Sequence, residues 1–258
     1  MDIKNLIKTL QSGGMVVGSE VNEVRSPAIA EIYAVAGLDF ILVDMEHTSF
    51  TLSEAAQIYR VARNCGITPL VRIPEIEYSV ICRNLDQGVR GIVVPRVTSR
   101  EEVFRVLDIM KYPPIGQRGL YPGGTAARYC PITPADFVKD QNESTLLVVQ
   151  IESEKAVQKL DEILSVPGID VILIGPADLS LSVGLPGEFF HEKVLSLMRE
   201  VIRKCHHYGI PSGVAYADPK YAKRWRQEGV QFFWANSDIN MLLTGARAVV
   251  AEMRDVLT

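Results

Sequence analysis

The chain has 258 residues, 47% of them hydrophobic and 22% charged, a length that suits one large α/β domain or two small ones. Its formal net charge of −4 argues against nucleic acid or an anionic membrane as a partner. No apolar run reaches the ~18 residues of a membrane span, and the opening "MDIKNLIKTLQSGGMVVG" lacks the apolar core and cleavage site of a signal peptide, so a cytoplasmic location is expected.

Short apolar runs recur along the chain: "MVVG" at 15–18, "FILVD" at 40–44, "PLVRI" at 69–73 and "GIVVP" at 91–95. Four more follow: "TLLVVQIE" at 145–152, "VILIG" at 171–175, "PSGVAY" at 211–216 and "QFFWANS" at 231–237. Each is nearly continuous in apolar residues, as expected of parallel strands covered on both faces. Helical spacing fills the intervals. "SPAIAEIYAVAG" predicts a helix with Ser26 as N-cap, Pro27 at the first helical position and Gly37 past the end. "TLSEAAQIYRVARNCG" stops at Gly66 and "DPKYAKRWRQEG" at Gly229, each just before the next strand. Eight β-α units in this length predict a single (β/α)₈ TIM barrel over 1–258. Cys65, Cys82, Cys130 and Cys205 are scattered without a C-x-x-C pair, which predicts reduced thiols rather than a disulfide framework or zinc cluster. The Gly- and Pro-rich stretch at 112–137 is long for a connection inside a compact domain and is expected to be functional, above the fourth strand.

Barrel enzymes draw their catalytic groups from the C-terminal ends of strands. Those ends carry Glu20, then Asp44, Glu46 and His47, then Arg72, Arg96, Gln150 and Glu152, Asp178, and finally Asn236 and Ser237. Glu152 and Asp178 offer hard oxygen ligands suited to Mg²⁺ or Mn²⁺, the alternative being ion pairs with the rim. Two carboxylates can also serve a glycoside hydrolase, but two Trp residues are few for a sugar-stacking cleft. In "IGPADLS", Gly175 and Pro176 turn tightly out of a strand, and the backbone through Ala177 forms a candidate carboxylate cradle. Arg72 would meet an anionic oxygen or a structural carboxylate, and His47 is a candidate proton-transfer group. His191, His206 and His207 read as exterior.

The segments "VDMEHTSF", "LVRIP", "LDQGVRGIVVPRVTSREE" and "VVQIESEKAVQKLDEILSVPGIDVILIGPADLSLSVG" occur in an order that resembles the class II, metal-dependent pyruvate aldolases of the HpcH/HpaI family. The resemblance spans nearly the whole chain and is most specific in the "QIE…IGPADLS" block. It implies cleavage of a 4-hydroxy-2-oxo acid to pyruvate and an aldehyde through a metal-stabilised enolate. It further implies that Glu152 and Asp178 ligate a divalent metal (Mg²⁺ or Mn²⁺, with Co²⁺ an option), and that Arg72 stabilises the enolate. His47 would be the base, paired with Asp86 of "LDQG", while Gln150 and the Gly175, Pro176 and Ala177 backbone bind the 2-oxo acid. A homo-oligomer is implied, a hexamer or trimer exchanging its C-terminal helix. None of the eight strand ends presents a lysine for a Schiff base. Met45, "GLYPGGTAARY" and Tyr216 depart from the family pattern and leave the aldehyde open, although Arg96, Arg118 and Arg128 hint at an acidic or phosphorylated tail. The rival readings are a malyl- or citramalyl-CoA type lyase, which would want a basic nucleotide-binding surface, and a non-catalytic barrel that binds small acids.

Overall fold

Eight parallel strands close into a barrel in chain order: β1 (Val16–Val21), β2 (Phe40–Asp44), β3 (Thr68–Arg72), β4 (Gly91–Val94), β5 (Leu146–Ile151), β6 (Val171–Ile174), β7 (Ser212–Val214) and β8 (Phe232–Ser237). The computed structural model describes residues 1–257. Every predicted apolar run overlaps one of these strands, and β2 to β7 are buried along their whole length.

Alternate residues divide into two cores. Val16, Phe40, Leu42, Leu70, Val93, Val148, Leu173 and Trp234 fill the barrel interior. Their neighbours Val21, Ile41, Val43, Val71, Ile92, Val149 and Ile174 face the helical shell. Side chains two apart share a face of a strand, so the interior set continues upward to Glu20, Asp44, Arg72, Gln150 and Glu152. Gly18 keeps the interior passable: a Cβ there would lie 2.3 Å from the Phe40 ring, which stacks on Phe232 with centroids 4.3 Å apart. The helix Ile3–Gln11, N-capped by Asp2, closes the opposite end by inserting Leu6 and Leu10 beneath the interior core.

Three expectations need correction. The helix expected from Pro27 runs Ala28–Val35, with Pro27 itself at the cap and no side-chain bond from Ser26 to the helix start. The segment 112–137 does not roof the fourth strand. It follows the helix Arg100–Met110 and runs into the helix Pro134–Glu143 that precedes β5, and its contacts place it at the N-terminal end of the barrel. There Arg63 holds the carbonyls of Thr125 (2.7 Å) and Ala126 (3.1 Å), and Arg118 donates to Asp86 at 2.6 Å. Asp86 ends the helix Tyr78–Asp86, just before β4 begins. It therefore stands at the opposite end of the barrel from His47, which follows β2, and within one chain the two do not pair.

The C-terminal helix Asp238–Leu257 is tethered by its first residue: the Asp238 carboxylate accepts the N–H groups of Asn22, Glu23 and Val24. Beyond it Leu242, Leu243, Val249, Val250, Met253 and Val256 are exposed. An apolar groove of about 350 Å³ lies open nearby, lined by Met15, Val17, Ala217, Ala222, Phe233 and Ala235. No described helix is long and apolar enough to cross a membrane.

Candidate active site

Parallel register places Asp44 directly beside Arg72, and their side chains form a two-point ion pair. Nε donates to Oδ1 at 2.8 Å and Nη2 to Oδ2 at 2.9 Å, in the planar fork geometry suited to a carboxylate. Nη2 also donates to Glu20 Oε1 at 3.0 Å. Among the described residues Nη1 has no protein partner, which leaves one edge of a buried guanidinium free for a ligand. Burial opposes the Arg72 charge, but the Asp44 hydrogen bonds and the Asp44, Glu20 and Glu46 charges outweigh it and raise its pKa above the usual value. The guanidinium carbon sits 4.9 Å from the centre of the Trp234 ring, a cation–π contact within the barrel mouth.

Glu46 ties this group to its neighbours. One of its carboxylate oxygens lies 3.4 Å from Arg72 Nε and 3.5 Å from His47 Nε2, and the other 3.1 Å from Arg96 Nε. Burial raises the Glu46 pKa against the pull of the Arg72 and Arg96 charges. The His47 ring is largely exposed, while its backbone N–H is held by Asp44.

Arg96 has a second role through its main chain. In the left-handed region at φ +57°, it aims its N–H at Glu152 Oε1, 2.6 Å away. The other Glu152 oxygen accepts from the Gln150 amide. Burial, together with the nearby Asp178 and Glu46 charges, pushes the Glu152 carboxyl up to about 7. The site therefore carries a carboxylate short of positive charge. Gln150 Oε1 is buried beside it without a hydrogen-bond partner.

Gly175 passes so close that a Cβ would lie 2.6 Å from Glu152 Oε2. It caps the helix Pro176–Ser182, whose start has no side-chain cap, and Asp178 follows in the first turn, exposed to the mouth. Two hard carboxylates, an orphaned amide oxygen and a raised Glu152 pKa suit a divalent cation with open coordination positions. No described group of three or more His, Cys, Asp or Glu side chains offers a full protein cage, so the remaining positions would fall to water and substrate.

Of the residues singled out from sequence, the structure gathers Arg72, His47, Gln150, Glu152, Gly175, Pro176, Ala177 and Asp178 at the C-terminal end and leaves Asp86 at the other. The Glu20–Tyr216 contact was not anticipated: the Tyr216 hydroxyl donates to Glu20 Oε2 at 2.5 Å. Glu20 was visible at the end of the first run, and Tyr216 as an unusual residue at the end of the seventh. What linear sequence lacks is any sign that strands 1 and 7, separated by strand 8, bring the two within reach.

Comparison with known proteins follows the same outline. Residues 23–244 match the family model described as HpcH/HpaI aldolase/citrate lyase. A hydroxypyruvate/pyruvate aldolase of Paraburkholderia phytofirmans is 32% identical over 235 residues, covering 89% of this chain and 90% of its own. A 2-keto-3-deoxy-L-rhamnonate aldolase of Klebsiella pneumoniae is 35% identical over 222 residues, 86% of this chain and 82% of its own. The crystal structure of an HpcH/HpaI aldolase from Desulfitobacterium hafniense superposes with a TM-score of 0.92 at 35% identity, covering 98% of this chain and 97% of that one.

Proposed function

The chain belongs to the HpcH/HpaI aldolase/citrate lyase family, and from that premise we propose that it is a divalent-metal-dependent carbon–carbon lyase cleaving a 4-hydroxy-2-oxo acid to pyruvate and an aldehyde. The observation that carries this reading is the free Nη1 edge of buried Arg72, in the same mouth as the electron-rich Glu152 and Asp178 pair. Cleavage moves the C3–C4 bonding electrons onto the pyruvate half, so its oxygen becomes negative as the reaction proceeds. Arg72, prealigned by Asp44 and Glu20, meets that charge without reorganising. Bound at Glu152 and Asp178, Mg²⁺, Mn²⁺ or Co²⁺ would add Lewis-acid polarisation of the 2-oxo acid. His47, exposed at the mouth with Glu46 beside it, accepts the 4-hydroxyl proton directly or through one water. The turn at Gly175 and Pro176 presents the uncapped helix start to the pyruvate carboxylate. The Ala177 N–H is the donor, because Gly175 donates to the Ile151 carbonyl and Pro176 has no N–H, and Gln150 orients Glu152.

The assay is pyruvate release from 2-keto-3-deoxy acids, coupled to lactate dehydrogenase, with Mg²⁺ or Mn²⁺ and then with excess EDTA. Metal-dependent release that Glu152→Ala abolishes supports the reading. Release that survives both EDTA and the substitution refutes it.

A homo-oligomer, hexamer or trimer, is part of the same proposal. The apolar stripe of the C-terminal helix and the bare groove at Met15, Val17 and Phe233 are complementary in character, and exchanging the helix between copies would cover both. Because Asp86 and His47 stand at opposite ends of one chain, any pairing between them would also be made between copies.

A further inference from the structure

Around Arg72 the contacts form a closed ring that the chemistry above leaves partly unexplained. Arg72 Nη2 meets Glu20 Oε1 at 3.0 Å, and Glu20 Oε2 meets the Tyr216 hydroxyl at 2.5 Å. The Tyr216 ring lies against Trp234 with centroids 4.9 Å apart, and the Arg72 guanidinium covers the same Trp234 at 4.9 Å. Four strands or strand ends thus contribute one residue each. We propose that Tyr216 and Glu20 are positioning residues for Arg72, together fixing the guanidinium so that its free Nη1 edge meets the anionic oxygen of the substrate. The proposal rests on the reading of Arg72 as the anion-holding group.

Asp44 alone fixes the plane of the guanidinium but grips only its Nε–Nη2 edge. Glu20 supplies a second anchor on Nη2, from another strand, and blocks rotation about the first. Glu20 is itself fully buried, and its carboxylate has one oxygen for Arg72 and one to be held elsewhere. Tyr216 holds the second oxygen. It approaches from above, at the end of β7, in the left-handed region at φ +51°. A tyrosine adopts that conformation only when its surroundings impose it. The same side chain presses on Trp234, the wall behind the guanidinium, so Tyr216 braces Arg72 at its edge through Glu20 and at its face through Trp234. A purely structural tyrosine would be buried for its ring; Tyr216 is 45% exposed and spends its hydroxyl on a carboxylate inside the mouth.

The test compares wild type, Tyr216→Phe, Glu20→Ala and the double variant, measuring kcat and KM for pyruvate release and, by calorimetry with Mn²⁺ present, the affinity for oxalate, a planar dianion. Tyr216→Phe keeps the ring and its packing, so folding is preserved. Loss of one hydrogen bond to a charged group should lower kcat and weaken oxalate each about tenfold, with KM moving less than about twofold. On the Glu20→Ala background the same change should add nothing, since Tyr216 acts through Glu20. Tyr216→Phe that matches wild type in both measurements, or losses that multiply in the double variant, overturns the proposal. Wild type that binds oxalate but releases no pyruvate sinks the lyase reading while the oxalate arm still decides this one. Wild type that does not bind oxalate removes the anion-facing role of Arg72, and the proposal with it.

Discussion

Replacing Glu152 with glutamine should make the metal-free protein more stable, although it removes a proposed metal ligand. Burial holds the Glu152 carboxyl at about 7 instead of 4.5. At pH 8 the metal-free protein carries an ionised carboxylate that folding disfavours by about 3 kcal/mol, taking 1.36 kcal/mol per pH unit. The folded state binds this proton more tightly than the unfolded chain, so stability falls as pH rises from 4.5 to 7 and then levels off. Glutamine carries no such charge. Its oxygen can still accept the Arg96 N–H, and its amide can donate to Gln150 once that side chain flips to present Oε1, the atom now buried without a partner. For a protein of this size the gain corresponds to a melting temperature about 5–10 °C higher at pH 8. The difference should shrink steadily below pH 7 and vanish below about 4.5, where wild-type Glu152 is protonated in both states. Thermal unfolding in EDTA across that pH range checks the trend. Added Mg²⁺ should raise the wild-type midpoint and leave the variant's unchanged. A variant that melts at or below wild type at pH 8 in EDTA would show that the Glu152 charge is already compensated, and would refute the reasoning.

Three further outcomes follow from the same contacts. Arg72→Lys keeps the charge but not the fork, and should lower kcat by about 10²-fold with the fold intact, whereas Arg72→Ala leaves Asp44 and Glu20 buried without a counter-ion and should also cost about 3 kcal/mol in denaturant unfolding. Gly175→Ala puts a methyl into the space of the Glu152 carboxylate and should weaken Mn²⁺ binding about tenfold or more by calorimetry; unchanged affinity would mean that Glu152 does not ligate. Asp86→Ala strips buried Arg118 of its carboxylate and should lower unfolding stability by about 3 kcal/mol, so a fully stable variant would contradict the local role seen here.

The barrel was legible because its signal is local and repeated. Strands β2 to β7 are buried on both faces and read as apolar runs, and the glycines Gly37, Gly66 and Gly229 stop their helices in left-handed turns. Strand-end chemistry was legible for the same reason: interior residues two apart continue from the core into the mouth, so Asp44, Arg72, Gln150 and Glu152 had to face it together. The misreadings came from connections. Whether 112–137 lies above or below the barrel depends on where the preceding helix ends, and its Gly and Pro content says only that it turns. Asp86 sits in an apparently functional motif, yet it terminates a returning helix, where Arg118 of that same misplaced segment takes its charge. Ser26 looked like an N-cap by residue type, but the helix begins two residues later. Glu20 and Tyr216 were each visible alone. Their contact depends on closure of the barrel through β8.

The central claim, that this mouth stabilises the enolate of pyruvate, can be tested without knowing the aldehyde. Pyruvate in D₂O with the protein and Mg²⁺ should lose its methyl proton signal by ¹H NMR faster than in buffer, as enolate forms and is quenched by deuterium. EDTA, Arg72→Ala and Glu152→Ala should each return the rate to that of buffer. Methyl exchange no faster than in buffer with the wild-type protein and Mg²⁺, or exchange that persists in Arg72→Ala, would contradict the account.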